Sequence, residues 1–225
     1  MLIAAFLLVR DSPLVRVERV SVVGASGPEA PRIRAALAEA ARGMTTLHVR
    51  VGALREAVKS YPTVKDVRVD RDLPHGLKVI VVGRPAVAAL TAGDERVAVA
   101  ADGTLLRGAT VPGDVPNVQI AAPPAGAHLA DPRAERALAL VAAAPPAMRA
   151  HVARAFFGRQ GLEADIRHGP AIILGDGARL RAKWIAAARV LGDPGSRGAS
   201  YVDVRVPERA VAGGLTQPDL PSTTG

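Results

Sequence analysis

Apolar and polar positions along this chain fall into short alternating runs and longer stripes of helical spacing. Residues 14–23 read as strand. Val15 and Val17 share one face, Val20 and Val22 share the other, and the slip at Glu18 and Arg19 predicts a bulge or two short strands. Residues 24–28 make a turn. Residues 31–41 follow as a helix with Ile33, Ala36, Leu37, Ala40 and Ala41 in one stripe, stopped by Gly43. A second, short helix at 51–60 carries Val51, Leu54 and Val58 on one face and is closed by Pro62. Residues 64–70 and 77–82 alternate as strands around the turn Leu73–Pro74–His75–Gly76. The order is β-α-α-β-β.

Arg84–Pro85 marks a boundary. Beyond it the pattern predicts strands at 86–90 and 97–101, an Asp102–Gly103 turn, and Pro/Gly-rich loops at 107–117 and 121–132. An Ala-rich helix at 133–144 ends at Pro145–Pro146. Strands are predicted near 152–157, 162–167 and 171–174. Residues 179–191 form the strongest helix of this half, with Leu180, Trp184, Ala187 and Leu191 in register and Trp184 placed in the core. Residues 201–206 alternate cleanly as the closing strand, and residues 213–225 have the composition of a disordered tail.

Met1 to Val9 is an unbroken apolar run. As a helix it would rise about 13 Å, whereas the hydrocarbon core needs roughly 20 residues. It lacks the basic flank and small-residue cleavage site of a secretory signal. Two readings stand: the outer half of a transmembrane helix, or an ordinary element of a soluble core. The sharp stop at Arg10, Asp11, Ser12 and Pro13 favours the first, with residues 1–11 as the truncated span.

Composition narrows the function. Hydrophobic residues at 49% and charged residues at 22% suit a folded body. With one Trp, two Tyr and three Phe, the core must rest on Val, Leu, Ile and Ala. The net charge of +8 raises nucleic acid as a partner. The arginines are dispersed among acids, however, without a basic run or an aromatic platform, and this argues for a solvated surface instead. The absence of cysteine excludes disulfides and thiolate chemistry. His48, His75, His128, His151 and His168 show no ligand spacing, so no metal is expected. No nucleophile elbow, phosphate loop or carboxylate pair is present, and we expect no catalytic residues, no cofactor, no small-molecule substrate and no enzyme activity.

Binding candidates remain. In the closing strand Val202, Val204 and Val206 point one way, and Tyr201, Asp203 and Arg205 the other. Nothing after Pro207 reads as able to cover it, so it is expected at a sheet edge, where open N–H and C=O groups can accept a partner strand. A solvated strand without a partner is the plainer alternative. The helix at 179–191 carries Arg179, Arg181, Lys183 and Arg189, either attracting an acidic partner or forming a charged outer face.

The β-α-α-β-β unit resembles the POTRA domain of the FtsQ/DivIB family. The resemblance rests on Tyr61–Pro62–Thr63–Val64, Val67–Arg68–Val69–Asp70–Arg71, Leu73–Pro74–His75–Gly76–Leu77, Val79–Ile80–Val81 and Arg84–Pro85–Ala86–Val87–Ala88. The opening Ser12–Pro13–Leu14–Val15 through Val20–Ser21–Val22–Val23–Gly24 is similar to the segment joining the family's membrane helix to that domain. The Asp102–Gly103 turn, the late helix, the Gly-rich stretch 195–198 and Tyr201–Val202–Asp203–Val204–Arg205 resemble the family's second domain, so the likeness runs over about residues 12–212. There are departures. Arg50 stands where a capping Asp is common, Gly83 where an acid precedes Arg-Pro, and Val206 where some members carry an aromatic.

The resemblance implies an α+β protein: a POTRA domain at 12–84, then a mixed or antiparallel β-domain with two flanking helices at 85–212, and a tail from 213. It implies a single-pass protein of the cytoplasmic (inner) membrane, anchored through the N-terminal segment, its bulk extracytoplasmic and at the division septum. Its implied role is a non-enzymatic divisome scaffold whose partners are FtsB/DivIC-type and FtsL-type division proteins. A POTRA-bearing envelope assembly or transport factor that binds unfolded strands is the alternative.

Overall fold

The structure is a computed structural model that describes residues 16–214. The expected membrane segment at 1–11 and most of the expected tail lie outside the described residues. The chain divides into two compact units. One runs through Pro85 with Leu106–Thr110, and the other takes Ala86–Leu105 and the residues from Val111 onward.

The first unit has the expected order: β1 (Arg19–Val23), α1 (Ala30–Ala41), α2 (Val51–Ala57), β2 (Val64–Asp72) and β3 (Gly76–Gly83). Helix α1 starts with Pro31 at a first-turn position, where the missing N–H costs nothing. Ile33, Leu37 and Ala41, each four apart, make its buried stripe. Arg50 leaves α2 without a side-chain cap, and the helix is correspondingly short. Strand β3 is central, parallel to β1 and antiparallel to β2. Ile33, Leu37, Leu54, Val67, Leu77, Val79 and Val81 form the core between helices and sheet. Gly24, at φ +82°, closes β1 with its Cα against Val81; a Cβ there would lie 2.3 Å from the Val81 carbonyl oxygen.

The second unit holds an eight-stranded sheet in the order β11-β10-β9-β8-β7-β6-β4-β5. Its strands are β4 (Ala86–Ala92), β5 (Glu95–Ala100), β6 (Asn117–Gln119), β7 (Val152–Gly158), β8 (Gly161–Ile166), β9 (Ala171–Gly175), β10 (Tyr201–Asp203) and β11 (Val211–Gly213). Its helices are α3 (Pro132–Ala143), the single turn α4 (Pro146–Arg149) and α5 (Leu180–Gly192). Asp131 caps α3 by accepting from the Arg133 amide at 2.9 Å, ahead of Pro132. Arg149 donates to the Ala142 and Ala144 carbonyls and closes the other end. Trp184 is buried and donates its indole N–H to the Leu140 carbonyl at 2.9 Å, tying α5 to α3 over one apolar layer.

Two strands were not legible in the pattern. Strand β6 lies between two segments read as loops, and only its Val118 is fully buried. Strand β11 begins before the predicted tail and runs into it.

Candidate partner-binding edge

Helix α5 carries the chain from β9 to β10, which lie parallel in the pairs Tyr201↔Ala171, Val202↔Ile172 and Asp203↔Ile173. Val202 and Val204 are fully buried, and the Val204 amide donates to the Ile173 carbonyl at 2.9 Å. The chain then turns through a short 3-10 segment at Pro207–Arg209 and returns as β11. Strand β11 is antiparallel to β10, pairing Tyr201↔Gly213, Val202↔Ala212 and Asp203↔Val211.

This corrects the expectation for residues 201–206. Tyr201, Val202 and Asp203 are strand, but an inner one, covered by β9 on one side and β11 on the other. Val204 is core, while Arg205 and Val206 belong to the turn between β10 and β11. Among the described residues the outermost strand on this side of the sheet is β11. It escaped the pattern because three residues, Val211, Ala212 and Gly213, give no measurable alternation. The signal that could have marked it is the pair of glycines Gly213–Gly214 after a Pro-led turn, which fits a short return strand.

The turn is held by Asp203. Its Oδ1 accepts the Arg205 amide at 3.0 Å, and Arg205 Nε and Nη2 donate to the same carboxylate at 3.0 Å and 2.6 Å. The bond from Arg205 holds the Asp203 carboxyl below the usual carboxylate range, against its partial burial. The stem of Arg205 lies over Gly175, at φ +73°, where a Cβ would meet the Arg205 Cγ at 2.8 Å. The Tyr201 ring likewise lies over Gly213. Val206 and Val211 are each 54% exposed beside this turn.

The four basic residues assigned to α5 separate. Arg179, at φ 54°, precedes the helix in a left-handed conformation and pairs with Glu208, tethering the β10–β11 turn to α5. That bond lowers the Glu208 pKa. Arg181 and Arg189 are exposed and two turns apart on one face, with Ile185 half-exposed between them. Neither arginine has an acidic partner among the described residues. Lys183 is a correction: it is only 2% exposed and bonded through Nζ to the Asp176 carboxylate and, at 3.1 Å, to the Asp176 carbonyl. Helical spacing explains why. Lys183 stands one turn before the buried Ala186 and Ala187, so it faces inward and secures the β9–α5 loop. It cannot touch a partner.

Two other edges, β2 and β5, are blunted, whereas β1, at the other edge of the three-stranded sheet, carries charge at Arg19 alone. The free side of β2 carries Lys65, Asp66, Arg68, Asp70, Arg71 and Asp72 with a register shift between Val64 and Asp66, and β5 opens with Glu95 and Arg96. Charge and bulges of this kind discourage strand pairing. Strand β11 carries neither. Among the described residues no group of three His, Asp or Glu could hold a metal ion, and no helix is long and apolar enough to cross a membrane.

A family model for the POTRA domain, FtsQ-type, matches residues 15–84, the span of the β1-α1-α2-β2-β3 unit. Residues 15–84 are an FtsQ-type POTRA domain. The match supports an FtsQ/DivIB-family protein and, with it, a POTRA protein related to cell division. The POTRA domain ends where the eight-stranded domain begins, at Arg84–Pro85. No curated protein matches the chain.

Proposed function

We propose that this protein is a non-enzymatic scaffold of the division machinery that holds septal membrane proteins by accepting an extended segment on β11. The observation that carries the reading is the edge itself: among the described residues β11 is the outermost strand on its side of the sheet, is uncharged, and presents the exposed Val211 near the exposed Val206, while β2 and β5 are charged. Main-chain bonding to such an edge gives affinity, and neighbouring side chains give selectivity. Arg209, two residues before β11, and Arg181 and Arg189 on α5 offer exposed cations for an acidic segment. The FtsQ-type POTRA domain supports the choice of FtsB/DivIC-type and FtsL-type proteins as partners and of the septal membrane as the location.

The test is capture of the soluble segments of FtsB/DivIC-type and FtsL-type proteins by immobilised full chain. Val206→Lys with Val211→Lys places charge at the edge without touching the core. Capture is expected to fall at least about tenfold at unchanged circular dichroism and thermal midpoint. Undiminished capture overturns the reading. A proline at Val204 does not serve, because that amide and side chain are buried in the β9–β10 pairing.

A further inference from the structure

The eight-stranded sheet contains a second place where backbone is left open, far from β11 in strand order. Strands β4, β6 and β7 run parallel, with α3 crossing from β6 to β7. The β6–β7 register covers only Asn117↔Arg154 and Val118↔Ala155. Beyond it the strands part. Chain after β6 stays with β4, the Ile120 amide donating to the Thr91 carbonyl at 3.0 Å. Strand β7 continues with β8 through Phe156↔Glu163, Phe157↔Leu162 and Gly158↔Gly161. On its β6 side, Phe156, Phe157 and Gly158 therefore have no strand partner among the described residues.

The fork encloses a cavity of about 450 Å³. On the α3 side it is apolar, from Ile120, Ala134, Ala137 and Phe157, while Phe156, the preceding residue of β7, faces the other side of the sheet, and Asn117 and Gln119 line one wall. Phe157 is 43% exposed, a large apolar side chain left half in water. Cations stand over both rings: Arg154 over Phe156 at 5.0 Å and Arg136 over Phe157 at 5.8 Å. The acids close by are already engaged. Asp131 caps α3, and Asp165 takes the Arg154 guanidinium. Arg133 and Arg136 have no acidic partner among the described residues.

We infer that this fork is a second strand-accepting site, which takes a short extended peptide of alternating acidic and apolar residues from a partner protein. The geometry allows apolar residues on one face of the incoming strand to rest on Phe157, Ala134 and Ala137, while acids on its other face lie beside Arg154 and acids at its ends approach Arg133 and Arg136. The free run of three residues spans about 10 Å, long enough for main-chain bonds to one short strand. Lysine-bearing segments would be repelled by the same guanidinium groups. The site is independent of β11, so the protein can hold two extended segments at once.

The probe is a seven-residue, fluorescein-labelled peptide of alternating glutamate and valine, titrated into the full chain by anisotropy, with amide NMR shifts as the second readout. Saturable binding with shifts at Phe156, Phe157 and Gly158 is expected, unchanged in the Val206→Lys, Val211→Lys double variant. Arg133→Glu with Arg136→Glu changes exposed positions only and is expected to weaken binding about tenfold or more. The matched lysine–valine peptide is expected not to bind. Equal binding of the two peptides, or shifts confined to residues 201–213, would overturn the inference. So would failure of the glutamate–valine probe to bind, or closure of the fork by a second copy in sedimentation of the unliganded protein.

Discussion

Asp203 and Arg205 stand two residues apart and are bound to each other through both backbone and side chain. The pair ends β10 and sets the turn from which β11 returns. Asp203→Ala removes the acceptor of all these bonds and is expected to destabilise the β-domain by about 1 kcal/mol, the guanidinium being half-exposed. Asp203→Asn keeps an oxygen for the Arg205 amide and is expected to cost less. Thermal unfolding followed by circular dichroism checks the order; an equal loss in both variants would assign the whole effect to charge.

Acid should act through this pair and three others. The carboxyls of Asp66, Asp176, Asp203 and Glu208 are held below their ordinary values by bonds from Arg55, Lys183, Arg205 and Arg179 respectively. A group with a lowered folded pKa binds fewer protons in the native state. Its stabilisation is present above the unfolded pKa and is lost as pH falls through the folded one. Thermal midpoints are expected to hold from neutrality to about pH 5 and to fall below about pH 4. The decline should be shallower in Asp203→Asn with Asp66→Asn, and a midpoint that rises on acidification contradicts the assignment.

Lys183 and Asp176 should respond unequally to substitution. Lys183→Met replaces a buried ammonium by an apolar chain of similar length and is expected to leave the thermal midpoint within about 3 °C. Asp176→Ala leaves that ammonium with the Asp176 carbonyl alone and is expected to lower the midpoint by more. The reverse order would mean that the pair is not desolvated as the structure has it.

The legible parts of the fold are those with enough residues to establish a period. The β1-α1-α2-β2-β3 order follows from Val67 and Val69 against Val79 and Val81, and from Ile33, Leu37 and Ala41 on one helix stripe. Strands β6 and β11 have three residues each, too few for alternation to stand out, and tertiary pairing alone makes them strands. Missing β11 displaced the candidate site by one strand. Lys183 differs for another reason: its charge suggests exposure, whereas its helical position beside Trp184 places it toward the core.

Trp184 was correctly placed in the core by its register with Leu180, Ala187 and Leu191. Its bond to Leu140 adds a cost to any replacement. Trp184→Phe leaves the buried Leu140 carbonyl without that donor and is expected to cost about 1–3 kcal/mol. Trp184→Ala is expected to cost about 3–5 kcal/mol, read by denaturant titration. A Trp184→Phe variant as stable as the parent would deny the hydrogen bond a role.

In the POTRA domain the sensitive point is Gly24. A side chain there must adopt a left-handed conformation and press on the Val81 carbonyl. Gly24→Ala is expected to lower stability by more than the roughly 1 kcal/mol of the conformational penalty alone. Val23, next to it and half-exposed, should tolerate Thr in the same assay.

The stem of Arg205 resting on bare backbone at Gly175 joins two positions thirty residues apart into a single choice. Bulk at one must be matched by loss of bulk at the other, so natural variation there should move in pairs. A chain that gained a methyl group at the end of β9 would have to shorten residue 205, and would then surrender the clasp that turns its last strand around.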